Sequence, residues 1–72
     1  MSPKFLVALR GYDMKQVDKV LAQADEAIAS ESDDVRSAAR ETLRTASFKE
    51  RLRGYARIEV DDAIQERLKR LA

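Results

Sequence analysis

A seventeen-residue segment occurs twice in this chain, and this duplication constrains the fold more than any other feature. Residues 5–21 and 48–64 match without a gap at a separation of 43, and seven of the seventeen positions are identical. Chance would give roughly one or two identities at ordinary residue frequencies. The shared residues are Phe5, Leu9, Arg10, Gly11, Tyr12, Val17 and Asp18 in the first copy and Phe48, Leu52, Arg53, Gly54, Tyr55, Val60 and Asp61 in the second. A repeat of this period indicates one supersecondary unit used twice.

The length of 72 residues predicts a single domain at 1–72, near the size at which one hydrophobic core is only marginally stable. We assign copy one to residues 2–30, a linking helix to 31–47 and copy two to 48–72. Helix formers are abundant, and almost no stretch alternates with period two. These features predict an all-α fold, a small three-helix bundle with a short N-terminal arm helix. Association with another chain is a reasonable expectation at this size.

A short segment that we call the arm precedes each repeated glycine. The arms are residues 5–10 and 48–53. Ser2 suits an N-cap and Pro3 the first helical position, so the first arm should be helical. Gly11 and Gly54 would then end the arms in the left-handed conformation, which glycine adopts without strain. The first arm is the most apolar run of the chain, and it either packs on the bundle or is offered to a membrane or a partner.

The long helix of copy one has a well-marked start. Asp13 suits the N-cap, Gln16 completes a capping box, and Tyr12 forms a hydrophobic staple with Val17. Copy two keeps the staple but has Ala56 in place of the capping Asp, which should cost about 1 kcal/mol. Apolar stripes at helical spacing follow both starts. The stripes are Val17, Val20, Leu21, Ala24, Ala27 and Ile28 in the first helix, and Val60, Ala63, Ile64, Leu68 and Leu71 in the third.

The helix that links the copies should begin at the N-cap Ser32. Its narrow inner face would consist of Val35, Ala38, Ala39, Leu43 and Ala46. The hydrophobic phase changes after Ala46, so this helix either bends near Ser47 or buries a second surface in its last turns. Its length carries the chain back to its starting end. The first and third helices would therefore lie parallel, with both glycine turns at one end, as a pseudo-twofold imitation of a parallel two-helix dimer.

The residues offer no chemistry for an enzyme. Asp18 and Asp61 recur in the first helical turns, where they favour the positive end of the helix or pair with Arg10 or Arg53. A catalytic carboxylate pair would also need a cleft, a base and a positioned water. The chain has no Cys, no His, no nucleophile–base set and no Gly-rich phosphate loop. We therefore expect no catalytic residues, no cofactor and no metal.

Charge and hydropathy restrict the classes of partner that this chain could bind. The net charge is +1, from 14 basic and 13 acidic residues, so no global field attracts nucleic acid. The basic cluster at residues 44–57 has no helix-turn-helix pattern or stacking aromatics to support nucleic-acid binding. No apolar run approaches the ~20 residues of a membrane span, and the first residues lack a signal-peptide core. These observations predict a cytoplasmic protein, peripheral to the inner face of the membrane if it binds lipid.

The repeated motif also resembles a known family. Phe-x-x-x-Leu-Arg-Gly-Tyr-Asp-x-x-x-Val-Asp, at residues 5–18, resembles the short N-terminal domain of DivIVA, the bacterial pole- and septum-organising scaffold. A related small domain occurs in repeated form in actinobacterial proteins. The second copy matches except at Ala56, where the family usually has Asp. The resemblance implies a parallel coiled-coil dimer whose arm-end loop touches anionic, curved membrane through an apolar residue and an Arg. The corresponding positions are Leu9, Arg10, Leu52 and Arg53.

We therefore expect a non-enzymatic, DivIVA-domain-like helical module in bacterial cell division or envelope organisation. It would present its arm end to an anionic membrane or a protein partner, and we expect either a protein partner or self-association. The candidate contact residues are Phe5, Leu9, Arg10, Phe48, Leu52 and Arg53. The alternative is a small helical adaptor that binds a partner helix through its apolar stripe without lipid contact. The cations around the second turn also fit a merely solvated basic face.

Overall fold

The computed structural model describes residues 5–72 and contains three helices and four short strands. The strands are β1 (Val7–Ala8), β2 (Gly11–Tyr12), β3 (Glu50–Arg51) and β4 (Gly54–Tyr55), and the helices are α1 (Met14–Ala29), α2 (Asp33–Thr45) and α3 (Arg57–Leu71). The mostly helical fold with three helices is confirmed. The all-α prediction is wrong, because the strands form a small sheet. Each strand has only two residues, which is too short to produce visible alternation in the sequence.

The predicted arm helix is also wrong over the described residues, because residues 5–10 contain the strand β1 and bends but no helical turn. The expected helix start at Ser2 and Pro3 lies outside the described residues. Leu6 has its hydrogen-bond partners in copy two rather than in a helical turn. Its carbonyl oxygen accepts from the Ala56 amide at 2.8 Å, and its amide donates to Glu59 Oε1 at 3.3 Å. These bonds satisfy the arm backbone from the other copy.

The sheet interleaves the two copies. The strand order is β1-β4-β2-β3, so β4 of copy two lies between the two strands of copy one. All three pairings are antiparallel, and each joins one copy to the other. The pairs are Val7 with Tyr55, Ala8 with Gly54, Gly11 with Arg51, Tyr12 with Glu50 and Tyr12 with Tyr55. When each residue is replaced by its counterpart 43 positions away, the same set of pairs results. The sheet therefore has the pseudo-twofold symmetry of the repeat.

The two repeated glycines lie against each other where the strands cross. Neither glycine has a positive φ, so the predicted left-handed turn is wrong. Their role is close approach of two backbones. A Cβ on Gly11 would lie 2.7 Å from the carbonyl carbon of Gly54, and a Cβ on Gly54 would lie 2.6 Å from that of Gly11. Any side chain at either position would therefore collide with main-chain atoms of the other copy.

The predicted helix starts are confirmed in their local geometry. Asp13 caps α1, because its side chain accepts a hydrogen bond from the backbone amide of Gln16 at 3.0 Å, and Ser32 caps α2. The backbone angles of Ala56 are similar to those of Asp13, but Ala56 makes no side-chain capping bond. The reciprocal half of the capping box is replaced by a contact between copies. Gln16 Oε1 accepts from the Lys49 amide at 2.8 Å, as Glu59 does from Leu6.

The linking helix ends earlier than predicted. α2 runs from Asp33 to Thr45, and Ala46 already has an extended conformation. The helix therefore neither bends near Ser47 nor continues to bury a second surface. The phase change after Ala46 marks the point where the chain leaves the helix for the second arm. On the inner face of α2, Ala39 and Leu43 are buried, whereas Val35 and Ala38 are exposed.

The apolar stripes of α1 and α3 form the core, as predicted. The buried residues are Val17, Leu21, Ala24 and Ala27 of α1, Ala39 and Leu43 of α2, and Tyr55, Val60, Ala63, Ile64 and Leu71 of copy two. The partly buried Val20, Ile28 and Leu68 pack against this cluster. The first arm does not join the core as a unit, because Phe5 is half-buried while Leu6 is exposed.

Polar contacts also join α1 and α3 at two positions along their length beyond the sheet. Arg67 Nε and Nη2 donate to the two carboxylate oxygens of Asp25 at 2.9 and 3.3 Å. Arg36 donates from Nη1 to the Ile28 carbonyl at 3.1 Å and from Nη2 to the Arg70 carbonyl at 2.7 Å. One α2 guanidinium therefore binds carbonyls in the last turns of both other helices, which are acceptors that a helix leaves unsatisfied.

Candidate functional site

Two dipeptides with the same sequence lie together where the copies cross. We call these four residues the tip: Leu9, Arg10, Leu52 and Arg53. Both dipeptides fall between the same two strand pairs, Ala8 with Gly54 and Gly11 with Arg51. The leucine side chains extend into solvent, with 85% of Leu9 and 78% of Leu52 exposed, and both arginines are exposed. The tip therefore presents two aliphatic groups and two guanidinium groups at one place.

The two phenylalanines predicted to contact a membrane or partner do not lie in the tip. Each packs on the tyrosine of the other copy. Phe5 meets Tyr55 edge to face at a centroid distance of 5.1 Å, and Phe48 meets Tyr12 at 5.2 Å. Both phenylalanines are half-buried against the core. The structure thus brings together four of the six candidate contact residues and holds the two rings in the packing that supports them.

The repeated aspartates bind tyrosines rather than arginines. Tyr55 donates its hydroxyl proton to Asp18 Oδ1 at 2.8 Å, and Tyr12 donates to Asp61 Oδ1 at 3.2 Å. The expected pairing with Arg10 or Arg53 is not observed, since Arg10 lies 3.9 Å from Glu50 instead. Burial, followed by the charge and hydrogen bond of Asp61, raises the pKa of Tyr12. The equal spacing from tyrosine to aspartate in both copies was the available signal for these bonds.

Carboxylates hold several of the cations near the tip. Glu50 accepts from Arg57 and also lies near Arg10, while Arg51 Nε donates to Asp13 Oδ1 at 3.0 Å. The Gln16 amide is the largest cause of the lowered pKa of Asp13, and Arg51 lowers it further. Arg53 makes no ion pair with any residue that the structure describes. Its guanidinium is therefore available to an external anion.

Positive charge is concentrated around the tip. Residues 5–15 and 48–58 carry six cations and two carboxylates, whereas the rest of the chain carries eight cations and eleven carboxylates. The next carboxylates along the helices are Asp18, Glu59 and Asp61, and each accepts an internal hydrogen bond. Residues 5–15 and 48–58 should therefore attract an anionic surface rather than a cationic one. The electrostatic field of these charges reaches about 10 Å in salt solution.

An open groove of about 780 Å³ lies beside the second dipeptide of the tip. Its lining is Asp13, Met14, Lys15, Glu50, Arg51, Leu52 and Arg53. Within residues 5–72, no group of three or more acidic, His or Cys side chains is placed to hold a metal ion. The groove thus combines long charged side chains with one leucine, which suits a charged surface better than an enclosed small molecule.

Two exposed aliphatic side chains near the tip were not among the six predicted contact residues. Leu6 is 72% and Ile58 is 77% exposed. Leu6 was assigned to the apolar run of the first arm, and Ile58 belongs to neither stripe. A comparison of the copies could have identified both, because Lys49 and Lys15 stand at the equivalent positions. A position that is lysine in the other copy is expected to face water.

Comparison of the chain with models of protein families, with curated proteins and with solved structures found no match. The resemblance described above therefore depends on residues 5–18 and 48–61 alone. Among residues 5–72, none of the helices is long and apolar enough to cross a bilayer.

Proposed function

We propose that this chain is a non-enzymatic, DivIVA-domain-like module that binds anionic membrane through the tip, in bacterial cell division or envelope organisation. The observation that carries the proposal is the pairing of two exposed leucines with two exposed arginines at the crossing of the copies. Aliphatic groups gain free energy on leaving water, and a cation near an anionic surface contributes about 1 kcal/mol. Neither contribution alone gives firm binding, but both act at the same place here.

The proposal includes a parallel arrangement of α1 and α3, so that both dipeptides lie at one end. Contacts at matching depths support it. Tyr12 pairs with Tyr55 just before the two helices begin, and Asp25 binds Arg67 about three turns further along. Arg36 then joins the last turns of both helices. Helices that ran in opposite directions would not make contacts in this order.

The adaptor alternative has less support from the fold. Its binding surface would be the apolar stripe, but most stripe residues of α1 and α3 are buried within the single chain, and the rest are partly buried against them. Offering the stripe to a partner helix would require the bundle to open. A protein partner could bind the tip without such a change, and a solution experiment separates that possibility from lipid binding.

The test is co-sedimentation with vesicles of phosphatidylglycerol and phosphatidylcholine. We expect the unaltered chain to pellet with them, and Leu9→Glu to weaken partitioning about tenfold because an inserted leucine is lost and a negative charge is added. The matched control is Val35→Glu, which makes a comparable change in the first turn of α2, where the side chain is 47% exposed. It should pellet nearly as well as the unaltered chain.

The proposal is wrong if the unaltered chain fails to pellet at low salt, or if Leu9→Glu and Val35→Glu pellet equally well. Vesicles of phosphatidylcholine alone give the electrostatic contribution, because they lack the anionic headgroup. The molar mass from light scattering should be measured on the same samples. A monomer is expected if the two copies of one chain replace the two chains of a dimer.

A further inference from the structure

The two copies match in the tip but differ beside it. The repeat relates residues that are 43 apart, so Lys49 is the counterpart of Leu6 and Lys15 is the counterpart of Ile58. All four side chains are exposed. One side of the tip therefore carries two aliphatic groups where the other side carries two ammonium groups.

Leu6 and Ile58 lie on the same side because the first arm follows the start of α3. The Leu6 carbonyl accepts from the amide of Ala56, and the Leu6 amide donates to the carboxylate of Glu59. Ile58 lies between these two partners in sequence, in the first turn of α3. We call Leu6 and Ile58 the aliphatic flank.

We propose that the aliphatic flank enters the interfacial layer of an anionic membrane together with Leu9 and Leu52, so that the module binds lipid through one side only. This inference rests on the proposed function and specifies which surface the lipid meets. The first arm connects Leu6 of the flank to Leu9 of the tip, and residues 5–15 and 48–58 together carry six cations and two carboxylates. Aliphatic groups beside cations are the combination found on interfacial membrane-binding surfaces.

The size of the surface favours lipid over a protein partner. Four aliphatic side chains of roughly 100 Å² each would supply about half of the ~800 Å² that a stable protein interface buries on each partner. Insertion into a fluid interface has no such minimum, because each side chain leaves water independently. A second copy of this chain is the competing occupant, and the test below detects it.

The test is the double variant Leu6→Lys with Ile58→Lys, which gives both sides of the tip the same lysines. On vesicles of phosphatidylglycerol and phosphatidylcholine we expect partitioning about tenfold weaker than that of the unaltered chain, although two cations have been added. If charge alone held the protein on the membrane, the double variant would bind more tightly than the unaltered chain. The two mechanisms therefore predict effects of opposite sign.

The reciprocal variant is Lys15→Ile with Lys49→Leu, which places aliphatic groups on both sides. It should partition several-fold more tightly although two cations are lost. All four positions are exposed, so both variants should keep the helical circular dichroism and the melting temperature of the unaltered chain. Retained folding excludes loss of structure as the cause of altered binding.

The outcomes distinguish this inference from the proposed function. If the unaltered chain does not pellet, both are wrong. If it pellets and Leu9→Glu weakens it, but the Leu6 and Ile58 double variant binds as well or better, only the inference is wrong. If light scattering shows that the double variant converts a dimer into a monomer, the flank joins two copies of the chain, and the inference is overturned.

Discussion

The hydroxyl of Tyr55 donates a 2.8 Å hydrogen bond to the carboxylate of Asp18, which belongs to the other copy. The equivalent bond from Tyr12 to Asp61 is longer, at 3.2 Å, and more exposed. Tyr55 is also only 3% exposed, whereas Tyr12 is half-buried. The repeat is therefore symmetric in its bonds but not in how deeply they lie, and removal of the two hydroxyl groups should have different effects.

Tyr55→Phe should lower the free energy of unfolding by about 1–2 kcal/mol, because it removes a part-buried bond to a charged acceptor. Tyr12→Phe should have a smaller effect, because water can bind the exposed Asp61 carboxylate in place of the lost hydroxyl. Urea denaturation followed by circular dichroism measures both. Equal losses for the two variants would show that the difference in burial does not set the strength of these bonds.

Gly11→Ala and Gly54→Ala should each destabilise the fold by more than about 3 kcal/mol. The added Cβ would lie within 2.7 Å of a main-chain carbonyl carbon of the other copy, and backbone atoms cannot move aside as a flexible side chain can. The control is Ala22→Gly on the exposed face of α1, which should cost about 1 kcal/mol. If Gly11→Ala costs no more than this control, the backbones are not in close contact.

Ala56→Asp should raise the free energy of unfolding by about 0.5–1 kcal/mol. The backbone at Ala56 has φ −57° and ψ 126°, close to the −55° and 120° of Asp13, so only the capping oxygen is missing. Ala56→Asn is the matched variant, because it caps without adding a charge near Glu59. Thermal unfolding should show a higher melting temperature for both, and no change in either would mean that the first turn of α3 is satisfied in another way.

Asp13 should contribute to acid sensitivity. The Gln16 amide and, to a smaller extent, Arg51 lower the pKa of this carboxyl in the folded state. The stability it contributes is therefore fully present above the unfolded pKa of about 3.9 and is lost as the pH falls through the lower folded value. Asp13→Asn should lose less stability than the unaltered chain over this range. Unfolding curves between pH 2 and pH 6 test this, and parallel pH profiles would contradict it.

Arg36→Ala should lower the free energy of unfolding by about 1–2 kcal/mol, because the carbonyls of Ile28 and Arg70 lose a shared charged donor. Arg44→Ala, a change of the same kind on the exposed face of α2, should cost less than about 0.5 kcal/mol. Hydrogen exchange should also become faster in the last turns of α1 and α3 together. Faster exchange in only one of these turns would show that Arg36 does not join them.

The helix starts and the core could be predicted because their causes are local. Asp13 and Ser32 cap helices through an amide three residues ahead, and the stripe residues recur at helical spacing. The arms could not be predicted in the same way. The partners of Leu6 are the Ala56 backbone amide and the Glu59 carboxylate, about fifty residues away, so distant groups of the other copy overrode the local tendency to form a helix.

Only part of the candidate site could be predicted, for the same reason. The exposed leucines and arginines of the tip follow from the repeated dipeptide, whereas the two phenylalanines lie against tyrosines of the opposite copy. Apolar residues in a small chain are normally expected inside it, so the sequence left open whether the first arm, with Leu6, packs on the bundle or is offered to a membrane or partner. Its exposure becomes visible only when the lysine at the matching position is taken into account.

The interleaved sheet has a consequence for how the chain acquires its structure during synthesis. Every strand pair and both tyrosine–aspartate bonds need residues beyond position 49, so a nascent chain that ends in α2 holds only half of each contact. Pairing must therefore wait until the second arm has left the ribosome, and the sheet then closes across a long sequence separation.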